Sequence, residues 1–261
     1  MATPRVLALR ASGINCHRET VHAFNLAGAQ AEHVHINHLL KERAPLDKYQ
    51  IIALCGGFCY GDDIAAGKIL AVELDRLLGE HLKKFVERDG LIIGICNGFQ
   101  VLIKTGLLPY AEFRPAAERE FTLAHNVSHR FECRWIKLEA PKNTNCLFVE
   151  PGEVLEMPVA HGEGRLVGVT AEAVQRLKDG GLVTYRYVAP DGSRNPVYPD
   201  DPNGSADYIA GISDPTGRIF GLMPHPERHI YTRQHPNWTR GQANGEGDGL
   251  RIFKRAVAAL K

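Results

Sequence analysis

The sequence predicts an α/β fold: one open, mostly parallel sheet flanked by helices, with a cysteine held at a nucleophile elbow. Three observations predict it. Residues 91–95 (LIIGI) are a short apolar run fit for a strand buried on both faces, and residues 97–105 switch to helical spacing, so the chain turns sharply at Cys96. Apolar runs at 6–9 and 51–54, with a helix-spaced stretch at 19–27 and a further strand at 31–36 between them, read as the start of a parallel βαβ sheet. The glycine-rich segment CGGFCYGDDIAAGK follows the run 51–54 as Cys96 follows 91–95. In an open parallel sheet both lie at the carboxyl edge, where ligands bind.

Taken in order, 6–9 is a strand and Ala11-Ser12-Gly13 a turn. Val21 and Phe24 give 19–27 one apolar face, and Gly28 ends that helix. Glycines 56, 57, 61 and 67 allow unusual backbone angles and close approach to a ligand. Residues 69–86 place Leu70, Leu74, Leu77, Leu78 and Phe85 on one face, an amphipathic helix that crosses over to the elbow strand. The second half is less regular: strands are expected at 131–138, 154–158 and 182–188, a short helix at 172–178, and a hairpin formed by 208–212 and 218–223. Residues 189–205 hold four prolines and two glycines, a long ordered loop inserted in what otherwise reads as a single domain over 1–261. A polar, glycine-rich stretch at 241–249 precedes a closing helix at 250–260.

The elbow carries chemistry. A side chain at such a corner sits in a crowded backbone, so its neighbours two residues away must be small, and Gly94 and Gly98 are. The sulfur would lie at a helix N-terminus, where free N–H groups and the helix dipole favour an anion. A cysteine nucleophile needs a proton shuttle whose tautomer is fixed by a third group. Of twelve histidines, His225 ends a strand between two prolines with Glu227 two residues on, placed to orient the ring. The Asn97 amide, and the Gly57 amide from the neighbouring loop, are candidate oxyanion donors. Gln100, one helical turn beyond Cys96, could read an amide substrate.

Composition narrows the partners. The 31 basic and 30 acidic residues nearly cancel, so no general field draws nucleic acid or acidic lipid. No signal peptide and no membrane-length apolar run is evident, and six cysteines without an even framework suit free thiols in a reducing cytoplasm. Cys55 and Cys59 have three residues between them, with no second pair at zinc-finger spacing, so no metal site is expected. No phosphate-cradling motif appears, so no nucleotide site is expected on this chain.

GGFCYGDD, GICNGFQ, PVAHGEGR, DPNGSAD and MPHPER, in that order and spanning essentially the whole chain, resemble the triad-type (class I) glutamine amidotransferases. More narrowly they are similar to the glutaminase components of phosphoribosylformylglycinamidine synthase. The resemblance implies a flavodoxin-like three-layer sandwich, Cys96 as nucleophile, His225 as acid/base and Glu227 as its orienting partner. It also implies Gly57 and Asn97 as oxyanion donors, and Gln100, His161, Gly162 and Glu163 as the glutamine-binding set. Glutamine would be the substrate, and ammonia would pass to a synthetase partner carrying ATP and Mg2+, with a small third subunit possible. This chain would carry no cofactor. Other readings are the glutaminase subunit of a different class I amidotransferase, or a non-catalytic thiol-bearing regulatory subunit. Four positions depart from the family pattern: Ser12, His17, Cys59 and Asp201, none within the triad.

Overall fold

The computed structural model describes residues 3–240 and 244–261; the beginning of the glycine-rich stretch, 241–243, lies outside them. The chain opens as β1 (Arg5–Arg10), α1 (His17–Leu26), β2 (Gln30–His35), the single turn α2 (Ile36–Leu39) and β3 (Ile51–Leu54). The crossover α3 (Lys68–Glu87), β4 (Leu91–Ile95), α4 (Asn97–Thr105) and the irregular turn α5 (Leu107–Tyr110) follow. The second half contains β5 (Phe121–His125), β6 (Glu132–Glu139), β7 (Val154–His161), β8 (Glu163–Gly168) and α6 (Ala171–Asp179). It closes with β9 (Val183–Val188), β10 (Ile209–Ser213), β11 (Ile219–Leu222) and α7 (Leu250–Ala258).

Nine strands form one open sheet in the order β2-β1-β3-β4-β11-β10-β9-β6-β7. From β2 to β11 every pairing is parallel, and from β11 to β7 every pairing is antiparallel. The expected α/β sheet is therefore present, with an antiparallel extension built from the second half. All four residues of β3 and all five of β4 are buried, as strands covered on both faces must be. The exposed, polar β2 closes one edge.

Helix α3 buries Leu70, Leu74, Leu78, Leu82 and Phe85, each contributing about 1.5–3 kcal/mol of transfer free energy. Leu77 departs from expectation and is 50% exposed. At 100° per residue it falls about 80° from the centre of that stripe, at its margin. Helices α1 and α7 pack together through Phe24 and Phe253, whose rings meet edge to face at 4.9 Å.

One element was not expected. Strands β5 and β8 form a separate antiparallel ribbon in which Leu123 faces Leu166 and His125 faces Glu163. The chain leaves the large sheet at the end of β7 and enters this ribbon after Gly162 alone. Residues 189–205 contain turns but no helix or strand, as their prolines predict, and the loop is pinned by Asn203, which donates to Gly164 O and Tyr187 Oη. Among the described residues no helix is long and apolar enough to cross a membrane.

Candidate active site

Cys96 sits between β4 and α4 with φ 52° and ψ −105°, a conformation that costs an L-residue about 1–3 kcal/mol. The surrounding packing holds it there. A Cβ on Gly94 would stand 2.7 Å from the Gly98 backbone, and one on Gly98 would stand 1.9 Å from Leu54 O. Both glycines are thus required, as the elbow logic predicts. The Cys96 N–H donates to Leu222 O at 2.8 Å, which ties the elbow to the end of β11. Cys96 is 5% exposed, and its thiol leans toward Ala160 O at 3.7 Å.

Because β11 lies beside β4 with Leu222 opposite Ile95, the residues following it arrive at the same edge as the sulfur. Here the tertiary structure joins residues 129 positions apart in sequence. His225 donates its backbone N–H to Pro158 O at 2.9 Å, and its Nδ1–H donates to Glu227 Oε1 at 2.6 Å. Both residues are 1% exposed. The short turn Pro226–Arg228 brings the carboxylate back under the ring. Burial alone would lower the His225 pKa, but the Glu227 carboxylate, and after it the Cys96 and Cys16 sulfurs, outweigh burial and hold it well above the usual histidine value. The ring's Nε2 has no hydrogen-bond partner, and Glu227 Oε2 is likewise unpartnered.

The glycine-rich loop closes the site from β3. Gly57 has φ +147°, and a Cβ there would meet Gly13 O at 2.7 Å and Asn15 N at 2.8 Å, so glycine is needed. The N-terminal turn braces this loop: Asn15 and Cys16 N–H groups donate to Gly56 O, and Phe58 N–H donates to Gly13 O. None of these bonds uses the Gly57 amide. The Asn97 side chain stitches loop to helix, accepting from Cys59 N–H and donating to Asp62 Oδ1 and Gln100 Oε1 at 2.9 Å each. Burial raises the Asp62 pKa above the usual carboxylate range. Gln100 in turn donates to Glu163 O. Its amide is thus committed to the 161–163 turn, which it anchors to α4.

At that turn His161 donates Nδ1–H to Asn126 Oδ1 at 3.0 Å, while Nε2 is buried and unpartnered. Burial, reinforced by the charge on His225, lowers its pKa to about 3, so His161 is a neutral acceptor beside the site. Gly162 accepts from Asn126 N–H, and Glu163 Oε2 accepts from Ala66 N–H at 3.3 Å, joining this turn to the glycine-rich loop. Cys59 is buried, and burial, with Asp62 nearby, pushes its thiol to about 12, which makes it unreactive.

Sequence reasoning gave no role to Asp62, Asn126, Arg228 or Cys16. Arg228 donates to Cys16 Sγ at 3.1 Å immediately behind His225. Asp62 and Arg228 stand inside the two segments already singled out, but nothing in their spacing says which neighbours they meet.

The profile of the CobB/CobQ-like glutamine amidotransferase domain matches residues 3–258. The PurQ subunit of phosphoribosylformylglycinamidine synthase from Dehalococcoides mccartyi is 48% identical over 258 residues, covering 98% of each chain. That from Methanococcus maripaludis is 40% identical over 267 residues, covering 97% of this chain and 96% of the other. Among solved structures, a chain of PurLQS from Thermotoga maritima superimposes with a TM-score of 0.73 at 32% identity, with both chains fully covered. The chain thus belongs to the glutamine amidotransferases, and within them to the PurQ subunits of phosphoribosylformylglycinamidine synthase.

Proposed function

We propose that Cys96, His225 and Glu227 hydrolyse glutamine in this chain, the glutaminase subunit of phosphoribosylformylglycinamidine synthase in purine biosynthesis. The Cys96 thiolate attacks the side-chain amide carbon, and the Gly57 and Asn97 N–H groups receive the resulting oxyanion. The His225 imidazolium protonates the leaving nitrogen, releasing ammonia and a γ-glutamyl thioester. Neutral His225 then takes a proton from water, hydroxide attacks the thioester, and glutamate leaves with the thiolate and imidazolium restored. Gln100, His161, Gly162 and Glu163 form the glutamine-binding wall. The observation that carries this reading is the pairing of β4 with β11, which sets a strained Cys96 beside a buried His225–Glu227 pair.

Ammonia goes to a separate synthetase chain, which carries ATP and Mg2+, and a small third subunit completes the assembly. The PurLQS likeness supports this, as do the apolar side chains bared beside the site: Ile64 in the glycine-rich loop is 87% exposed, and Val197 and Tyr198 in the 189–205 loop are 74% and 60% exposed. With Cys96 so enclosed, glutamine reaches it only if the surrounding chain moves, and a partner docked on these loops can drive that motion. The test is covalent labelling by the glutamine-like electrophile diazo-oxo-norleucine in the assembled complex. One equivalent should attach at Cys96, and Cys96→Ala should abolish both labelling and glutamate release. Glutamate release that persists in Cys96→Ala sinks the assignment.

A further inference from the structure

We propose that the cavity bounded by Lys68, Lys104 and Arg119 binds a small phosphate monoester, and that its occupancy loosens the wall that holds glutamine. The cavity measures about 290 Å3, the lower end of the range for small-ligand sites. Lys68 opens α3, Lys104 stands in the last turn of α4 and Arg119 precedes β5, with Ile103 and Phe121 as apolar wall between them. All three basic residues are half-buried. Among the described residues none of the three makes an ion pair. Glu120, the acid in the wall, is already engaged: Oε1 accepts from Arg176 and Oε2 from the Tyr110 hydroxyl at 3.0 Å.

The cavity lies where α3 begins and α4 ends, so helix termini of opposite sign offset one another and the side chains set its charge. Burial draws both Lys104 and Arg119 below their ordinary pKa, and the neighbouring Lys68 charge lowers Lys104 further. An anion placed among them relieves this strain. Arg119 is held through Nε, which donates to Arg114 O at 2.7 Å, and its two terminal nitrogens are left to grip two oxygens of a phosphate. Three cations match a dianion better than a single carboxylate, and Ile103 and Phe121 accept the organic body of an ester. The link to the active site runs through Lys104, one helical turn beyond Gln100. Its charge helps to keep Asp62 ionised, and Asp62 accepts from the Asn97 side chain that also holds Gln100. Phosphate paired with Lys104 draws that charge away, so the Asp62–Asn97–Gln100 network weakens. The three basic residues come from separate segments, which is why spacing gave no sign of them.

Titration calorimetry of the full chain at fixed ionic strength tests the site, with glycerol 3-phosphate, inorganic phosphate and glycerol as probes. Glycerol 3-phosphate should bind at one equivalent and more tightly than inorganic phosphate, and glycerol should not bind. Lys104→Met and Arg119→Met should each weaken binding at least about tenfold, the loss of one charge-assisted contact. Lys68→Met carries the same expectation and stands in for either variant should it fail to fold. Lys41→Met, which removes an exposed charge elsewhere, should bind as the native chain does. No binding by the native chain, or undiminished binding in the cavity variants, overturns the site; inorganic phosphate binding as tightly as the ester overturns the ester assignment. The effect on glutamine rests on the glutaminase reading. In the assembled complex glycerol 3-phosphate should raise the KM for glutamine about fivefold, and Arg119→Met, with basal turnover retained, should lose that response. An unchanged KM, or a response that survives in Arg119→Met, overturns the coupling. If the native complex releases no glutamate at all, the triad reading has failed and calorimetry still decides the site.

Discussion

Replacing Gly98 by alanine tests the crowded elbow directly. The added Cβ would lie 1.9 Å from Leu54 O and 2.6 Å from Leu54 C, whereas ordinary contact begins at 3.4 Å. Helix α4 and β3 must therefore part by about 1.5 Å, and β3 cannot yield because β1 and β4 hold it on both sides. Overpacking of this kind costs about 3 kcal/mol. At about 2–4 °C per kcal/mol for a chain of this size, the melting temperature should fall by about 6–12 °C. The same displacement moves Cys96 and the Asn97 amide, and an error of about 1 Å in a reacting group costs about 10²-fold in rate. Calorimetry reads the first effect, and glutamate release by the assembled complex reads the second. Gly162→Ala is the control for stability, because nothing lies within 4 Å of its added methyl; its melting temperature should stay within about 2 °C of native. A Gly98→Ala protein that melts with the native one and turns over glutamine normally would refute the reasoning.

Three further outcomes are expected. Glu227→Gln leaves the geometry of the His225 pair but removes the charge that raises the imidazole, and glutamate release should fall by about 10⁴-fold. A histidine raised on folding stabilises fully below its unfolded pKa of about 6.5 and loses that contribution as pH climbs through the folded value. Denaturant midpoints should therefore show the largest deficit of Glu227→Gln near pH 6 and a shrinking one at alkaline pH; a deficit that grows with pH contradicts the assignment. His161 has the opposite sign: its folded pKa of about 3 lies below the unfolded value, so the native protein loses stability as pH falls below about 6.5. His161→Gln should flatten that slope in the same titration, and an unchanged slope would show that another group causes it. Shortening the 189–205 loop between Ser193 and Asp200, clear of the Asn203 bonds, should spare the fold and weaken association with the synthetase. Sizing chromatography of the mixture measures this, and unaltered complex formation removes the loop from the interface.

Much of this was written locally in the chain. The switch from a buried apolar run to helical spacing at 91–105, with Gly94 and Gly98 flanking Cys96, fixes the elbow because backbone conformation there depends on residues a few positions apart. The glycines of 56–67 and the prolines of 189–205 declare their loops for the same reason. The β5–β8 ribbon stayed hidden because β5 alternates too briefly between buried and exposed positions to stand out from its polar surroundings. Leu77 lay at the edge of a stripe whose centre only the packed sheet defines.

What the tertiary structure alone decided is convergence. Inserting β11 beside β4 carries His225 and Glu227 to Cys96, and folding the N-terminal turn against the same edge brings Cys16 under Arg228. The network from Asp62 through Asn97 and Gln100 to Glu163 likewise joins three segments that no short-range rule connects. Propensity and spacing act over a helical turn or a strand; which edges meet is settled by strand order, and strand order is a property of the whole buried sheet.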